Sequence, residues 1–111
     1  MSKEDLRKDI LQEKGFTFSQ ATLRAEDLLE SAYDLIKEYN IRTPLRKELQ
    51  EILATIDDSG WFPLGKREEA EDLLNEDVFY FLAELAPEGY YFGNLPGDGS
   101  HFGWWPDNED I

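Results

Sequence analysis

The 111-residue chain predicts an α+β domain, with three to five N-terminal helices packed on a C-terminal two-stranded antiparallel hairpin. Three observations carry that reading. Two aromatic runs, Tyr90-Tyr91-Phe92 and Phe102-Gly103-Trp104-Trp105, flank a Pro96-Gly97-Asp98-Gly99 cluster. Aromatic side chains suit a pleated, half-buried surface, and Asp-Gly between two such runs signals a hairpin because glycine accepts the positive φ of a tight turn. Apolar residues recur at intervals of three and four over 25–39 and 45–56, the mark of helices with one buried face. The length suits one domain with one core. A lone hairpin is marginal in water, so the helices must cover its rings. The expected division is a helical part over 1–86, an aromatic hairpin over 87–106 and an acidic tail over 107–111.

Taken in order, Ser2-Lys3-Glu4-Asp5 resembles a capping box with Ser2 as N-cap, opening a first helix over Lys3 to Lys14. Leu6 and Ile10 form its stripe and Gly15 its stop. Phe16-Thr17-Phe18 reads as a loop whose rings staple onto the next helix. That helix is expected from Ser19 as N-cap to about Tyr39, with Ala25, Leu28, Leu29, Ala32, Leu35 and Ile36 inward. Thr43-Pro44 starts a third helix, with proline at the first position, where a missing N–H costs nothing. Leu45, Leu49, Ile52, Leu53 and Ile56 form its face, and Asp57-Asp58-Ser59-Gly60 stops it. Trp61-Phe62-Pro63-Leu64-Gly65 is an apolar loop placed to plug the open end of a core.

Lys66 to Leu85 admits two readings. As one straight helix it aligns Ala70, Leu74, Val78, Phe81 and Leu85 and sends Phe79 to the wet face among Glu68, Asp72 and Glu76, where it is a candidate anchor for a partner. As two helices, with Asn75 capping the second, it turns Val78, Phe79, Leu82 and Leu85 inward. Pro87 and Gly89 then end the helical part. In the hairpin, strands Tyr90–Gly93 and His101–Trp105 alternate: Tyr90 and Phe92 share a face with Tyr91 opposite, and on the return strand Phe102 and Trp104 share a face with His101, Gly103 and Trp105 opposite. Gly93 and Gly103 mark bulges or a close approach of a ring to the backbone.

Charge is the informative part of the composition. The formal net charge is −14, and residues 67–111 hold twelve acidic side chains against the single Arg67. Direct binding to nucleic acid or to an anionic membrane is disfavoured, because such binding draws on cations that neutralise phosphates. A basic protein surface is the favoured partner. There is no cysteine, which excludes disulfides and thiolate chemistry and fits a cytoplasmic setting. The charged N-terminus is followed by no apolar signal segment.

Nothing in the sequence assembles a reaction centre. His101 is the sole histidine, so a zinc site or a serine triad has no partners. No run has calcium-loop spacing. Adjacent carboxylates such as Glu68-Glu69 and Glu76-Asp77 do not supply the contrasting pair across a cleft that glycosidases use. No catalytic residue, cofactor or metal is therefore expected, and a small enzyme is the weakest of the readings.

The segment Ala86-Pro87-Glu88-Gly89-Tyr90-Tyr91-Phe92-Gly93, then Gly97-Asp98-Gly99, then Phe102-Gly103-Trp104-Trp105 resembles a signature of small bacterial and phage-borne proteins. The resemblance spans about twenty residues and implies a phage or mobile-element context. Phage proteins that block restriction or CRISPR effectors often present a rigid anionic surface, so it also implies an inhibitor of a defence complex.

Three readings of the acidic excess follow. It is a solvated surface and nothing more. Or it is an ordered ridge of Glu68, Glu69, Asp72, Glu76 and Asp77 that mimics nucleic-acid phosphate for a nucleic-acid-binding protein. Or charge is incidental, and a regulatory domain meets its partner through hairpin rings such as Tyr91, Trp104 and Trp105.

Overall fold

A computed structural model describes residues 3–20, 22–95 and 97–106. The expected N-cap Ser2 and the acidic tail lie outside the described residues. The elements are α1 (Lys3–Glu13), β1 (Phe16–Ser19), α2 (Ala25–Glu38), α3 (Leu45–Leu53), α4 (Leu64–Asp72), a π-helical segment (Leu73–Val78), α5 (Phe79–Glu84), β2 (Tyr90–Leu95) and β3 (Asp98–Pro106). The class is α+β, as expected. No helix among the described residues is long and apolar enough to cross a membrane.

The sheet has three strands, not two. Its order is β1-β3-β2, antiparallel throughout, with β3 in the centre. The Phe16-Thr17-Phe18 stretch expected as a loop is the third strand: Phe16 pairs with Trp104 and Thr17 with Gly103. Alternation sends Phe16 and Phe18 to the core side, where both meet the Trp104 ring edge-on at 6.0 Å. Ser19 therefore belongs to a strand and cannot cap α2, which starts five residues later than expected, at Ala25. The turn between β2 and β3 also moves. Gly97, at φ 88°, takes the left-handed turn position, while Asp98 and Gly99 fall inside β3.

The helical face residues behave as the periodicity implies. Leu28, Leu29, Ala32, Leu35 and Ile36 of α2 and Leu45, Leu49 and Ile52 of α3 are buried. α3 starts one residue later than expected, at Leu45 with Pro44 at the N-cap position, and the Thr43 hydroxyl just before it accepts from the Leu45 N–H at 3.2 Å. Tyr39, at the end of α2, donates to Asp9 of α1 at 2.5 Å, and burial together with that carboxylate raises the phenol's pKa.

The fourth helical stretch is one continuous rod with a π turn in its middle. Every junction residue, Asp72, Leu73, Val78 and Phe79, keeps right-handed helical dihedrals, so Asn75 caps nothing. A π turn acts as one inserted residue and rotates everything after it. Ala70, Leu74 and Val78 are buried before that rotation, and Phe81, Leu82 and Leu85 after it. Phe79 consequently turns towards the sheet, 5.4 Å from the Phe102 ring and 5.9 Å from Phe92. A straight α-helix would have left it in solvent. The rod's last carbonyls are held by α1: Arg7 donates to Glu84 O at 2.9 Å and to Leu85 O at 3.3 Å.

Candidate partner-binding groove

α2 is the element against which both α3 and the π segment pack. Between α3 and the rod a groove of about 460 Å³ remains open. Glu48, Glu51, Ile52 and Thr55 of the α3 side line one wall; spacings of three and four put them on one helical face. The opposite wall is a stripe along the rod: Lys66, Glu69, Asp72, Leu73, Glu76 and Asp77. Ile52 and Leu73 form an apolar floor, buried and half-buried respectively. The six carboxylates are all exposed, and Lys66 is the one cation in the lining. It stands 3.5 Å from Glu69. Among the described residues the rod's other ion pairs run from Arg67, to Glu71 at 3.9 Å and to the buried Glu26 at 3.3 Å. Neither cation comes from the chain ahead of residue 66.

The carboxylates are spread along the walls. Among the described residues no three acidic or histidine side chains come close enough to hold a metal ion. The arrangement suits several separate cations borne on one surface, each meeting its own carboxylate.

Of the residues expected to meet a partner, Glu69, Asp72, Glu76 and Asp77 are brought together here. Glu68 is exposed on the same rod but outside the lining. Phe79 is withdrawn from the surface it was expected to anchor, because the π turn faces it inward. Trp104 is withdrawn more completely: it is 0 % exposed at the centre of the core, and its indole N–H donates to Leu82 O at 2.8 Å. It can make no surface contact in this fold.

Tyr91 and Trp105 lie opposite one another on the outer face of the sheet, both half-buried. The Trp105 ring covers the backbone at Gly103 and Gly15, and its N–H donates to Gly93 O at 2.9 Å. The expected close approach of a ring to the strand glycines is thus a feature of the fold. His101 meets the Trp105 ring edge-on at 5.3 Å and shares a 2.8 Å hydrogen bond with Thr17.

At the N-terminal end of α4 the Trp61-Phe62 loop divides its duties. Phe62 plugs the core at 3 % exposure, whereas Trp61 is half-exposed between two guanidinium groups, Arg24 at 4.0 Å and Arg67 at 5.6 Å. Glu26 ties the cluster together from below, accepting from the Phe62 backbone N–H at 2.8 Å. No signal in the sequence connects Arg24, Glu26 and Arg67, which meet only through the fold. Glu48 and Glu51 were also missed, although their position beside Ile52 on one helical face was legible.

The chain matches no protein-family model, no curated protein and no solved structure. The groove is therefore characterised by its own geometry.

Proposed function

We propose that this chain is a non-enzymatic binding module whose acidic groove receives a basic protein surface, one of the kind that otherwise holds nucleic-acid phosphate. One observation carries the reading: four carboxylates of the rod face two of α3 across an open groove, with Lys66 as the only cation in the lining. Such a surface attracts cations over about one Debye length, roughly 10 Å at 0.1 M salt, and accelerates encounter with a basic partner. Continuity of the rod through its π turn holds the carboxylates in fixed relation, so little ordering is lost on binding. The biological setting this surface suits is a phage or mobile-element inhibitor that occupies a defence complex by electrostatic mimicry.

The test is capture from a bacterial lysate by the immobilised chain at about 50 mM and about 200 mM salt, the span over which phosphate-type contacts weaken steeply. A basic protein is expected at low salt and lost at high salt. The captured protein should lose its hold on duplex DNA when the free chain is added. A variant carrying E69Q, D72N, E76Q and D77N should capture far less. Capture indifferent to both salt and these substitutions sinks the reading.

A second reading places the contact on the outer sheet face. It is favoured by the fixed Trp105 ring beside Tyr91, a rigid aromatic pair of the type found at hot spots. Capture that survives high salt and groove neutralisation but is lost in Tyr91→Ala would support it instead.

A further inference from the structure

We infer that the free edge of β2 accepts an extended segment of a partner protein as a fourth strand, and that the segment it selects is flanked by lysine or arginine. This surface is separate from the groove, and the inference does not rest on the groove reading.

With the order β1-β3-β2, β2 has a neighbour on one side only. In an antiparallel ladder alternate residues bond to the neighbour, and the others turn both N–H and C=O away from it. The register tells the two sets apart. Tyr90 stands opposite Pro106, which has no N–H to give, and the Tyr90 N–H turns instead to Pro87 O at 3.0 Å. Tyr91 opposite Trp105 and Gly93 opposite Gly103 are then the bonded pairs, and the Trp105 indole reaches Gly93 O from the β3 side. Phe92 and Asn94 therefore present their N–H and C=O groups outward. Among the described residues the Tyr90 bond is the only backbone–backbone bond that β2 makes outside its ladder.

Edges of this kind are normally blunted by charge, proline, brevity or a covering segment. β1, the other edge, is only four residues long. β2 runs for six and contains neither a charged residue nor a proline. Its bulge lies at the turn end, between Asn94 and Leu95, and leaves Tyr90 to Asn94 in regular register. On the core side Phe92 is half-buried, as is Phe79 beside it. An added strand would lay alternate side chains beside Phe92 on that face and beside Tyr91 on the other. Main-chain bonds would supply the affinity, and these ring neighbours favour β-branched or apolar side chains.

Charge decides the occupant. Residues 86–111, which carry the hairpin, include Glu88, Asp98, Asp107, Glu109 and Asp110 and no lysine or arginine. Two copies of a chain at −14 repel one another, and pairing β2 with itself would bring both sets of carboxylates together. A strand with cationic ends meets the opposite sign instead. Glu88, exposed just before β2, stands at one end of the edge to receive it.

The experiment follows amide hydrogen exchange by NMR in the isotope-labelled full chain. The probes are end-blocked octapeptides in which threonine and valine alternate between two charged terminal residues. In the free chain Tyr91 and Gly93 should be protected, while Phe92 and Asn94 exchange freely. The peptide ending in lysines, at about ten times its Kd, should slow exchange at Phe92 and Asn94 roughly tenfold. Glutamates at the ends should weaken binding about five- to tenfold. Methylating the central amide nitrogens of the lysine peptide keeps its charge but removes its donors, and should abolish the protection. The groove variant E69Q/D72N/E76Q/D77N should show the same two protected amides at an affinity within about twofold, so the two sites succeed or fail separately. Failure of the lysine peptide to bind, protection that misses Phe92 and Asn94, or equal binding by the methylated peptide overturns the edge and leaves the groove reading standing. Loss of protection in the groove variant would move the peptide to the groove and overturn the edge as well. Equal or tighter binding of the glutamate peptide overturns the choice of a basic-ended strand. Protection of the two amides that rises with chain concentration in the absence of peptide overturns it in favour of a second copy.

Discussion

The indole N–H of Trp104 donates to the carbonyl oxygen of Leu82 across 2.8 Å, joining the central strand of the sheet to the last turn of the rod. Leu82 O also accepts from the Leu85 N–H at 3.2 Å, so the indole takes its second lone pair and the buried Trp104 N–H finds its partner in a dry place. Trp104→Phe removes the donor and part of the ring. We expect it to cost roughly 1–3 kcal/mol, and Trp104→Ala about 3–5 kcal/mol. Urea unfolding followed by circular dichroism measures both; a loss below the uncertainty for Trp104→Ala would contradict its place in the core.

Gly103 and Gly93 face each other across β3 and β2, yet they should respond differently to the same change. A methyl group at Gly103 would collide with the Phe16 carbonyl and stand 2.7 Å from the Trp105 ring and 3.1 Å from the Thr17 Cα. Backbone cannot yield as a flexible side chain can, so Gly103→Ala should destabilise by about 1–3 kcal/mol or more. At Gly93 the nearest atom is the Tyr91 ring at 3.4 Å, an ordinary contact. Gly93→Ala should shift the urea midpoint far less. Equal effects at the two sites would mean that β1 does not pass where it is described.

Tyr39 should govern the alkaline limb of the stability profile. Burial, followed by the Asp9 hydrogen bond, raises its folded-state pKa above the ordinary 10.0. Folding therefore favours the protonated phenol. Its contribution is complete below the unfolded-state value and is lost as pH rises above it. Urea midpoints are expected to fall above about pH 10 in the wild-type chain and to flatten there in Tyr39→Phe. At neutral pH that substitution should cost about 1.5–3 kcal/mol, the value of one hydrogen bond to a charged group.

The groove should be a source of instability in the isolated chain. Asp72 has acidic neighbours at Glu68, Glu69 and Glu76, spaced four before, three before and four after. Like charges at those separations oppose a helix by about 0.2–0.5 kcal/mol per pair. Asp72→Asn is thus expected to stabilise the fold by roughly 0.5–1 kcal/mol at low ionic strength, with the gain shrinking as salt screens the repulsion. Urea titrations at two salt concentrations give the difference; destabilisation by Asp72→Asn would indicate a favourable local role for the carboxylate.

The legible parts of the fold were those written locally. The faces of α2 and α3 repeat within a single helix, and Thr43-Pro44 announces the start of α3 to within one residue. Phe16-Thr17-Phe18 is only a few residues long, and its strand character is defined by a partner at Phe102 to Trp104, far along the sequence. The π turn was illegible for a different reason. Two regular readings of Lys66 to Leu85 each accounted for part of the apolar pattern, and the chain adopts an irregular one that buries more of it. At the candidate site, counting charge located the rod's carboxylates but not the opposing wall, because Glu48 and Glu51 lie in a segment whose net charge looks unremarkable by count. The Phe79 anchor failed with the straight helix it presupposed.

Placing β3 between β1 and β2 also sets an order of events during synthesis. Phe16 and Phe18 leave the ribosome early, but the ring they enclose, Trp104, arrives almost ninety residues later. At about 5–20 residues per second that is a wait on the order of 5 seconds or more. Through that interval the nascent chain carries two unsheltered phenylalanines beside a half-made core. Stalling translation just before Phe102 should therefore leave a protease-sensitive N-terminal segment that releasing the stall protects.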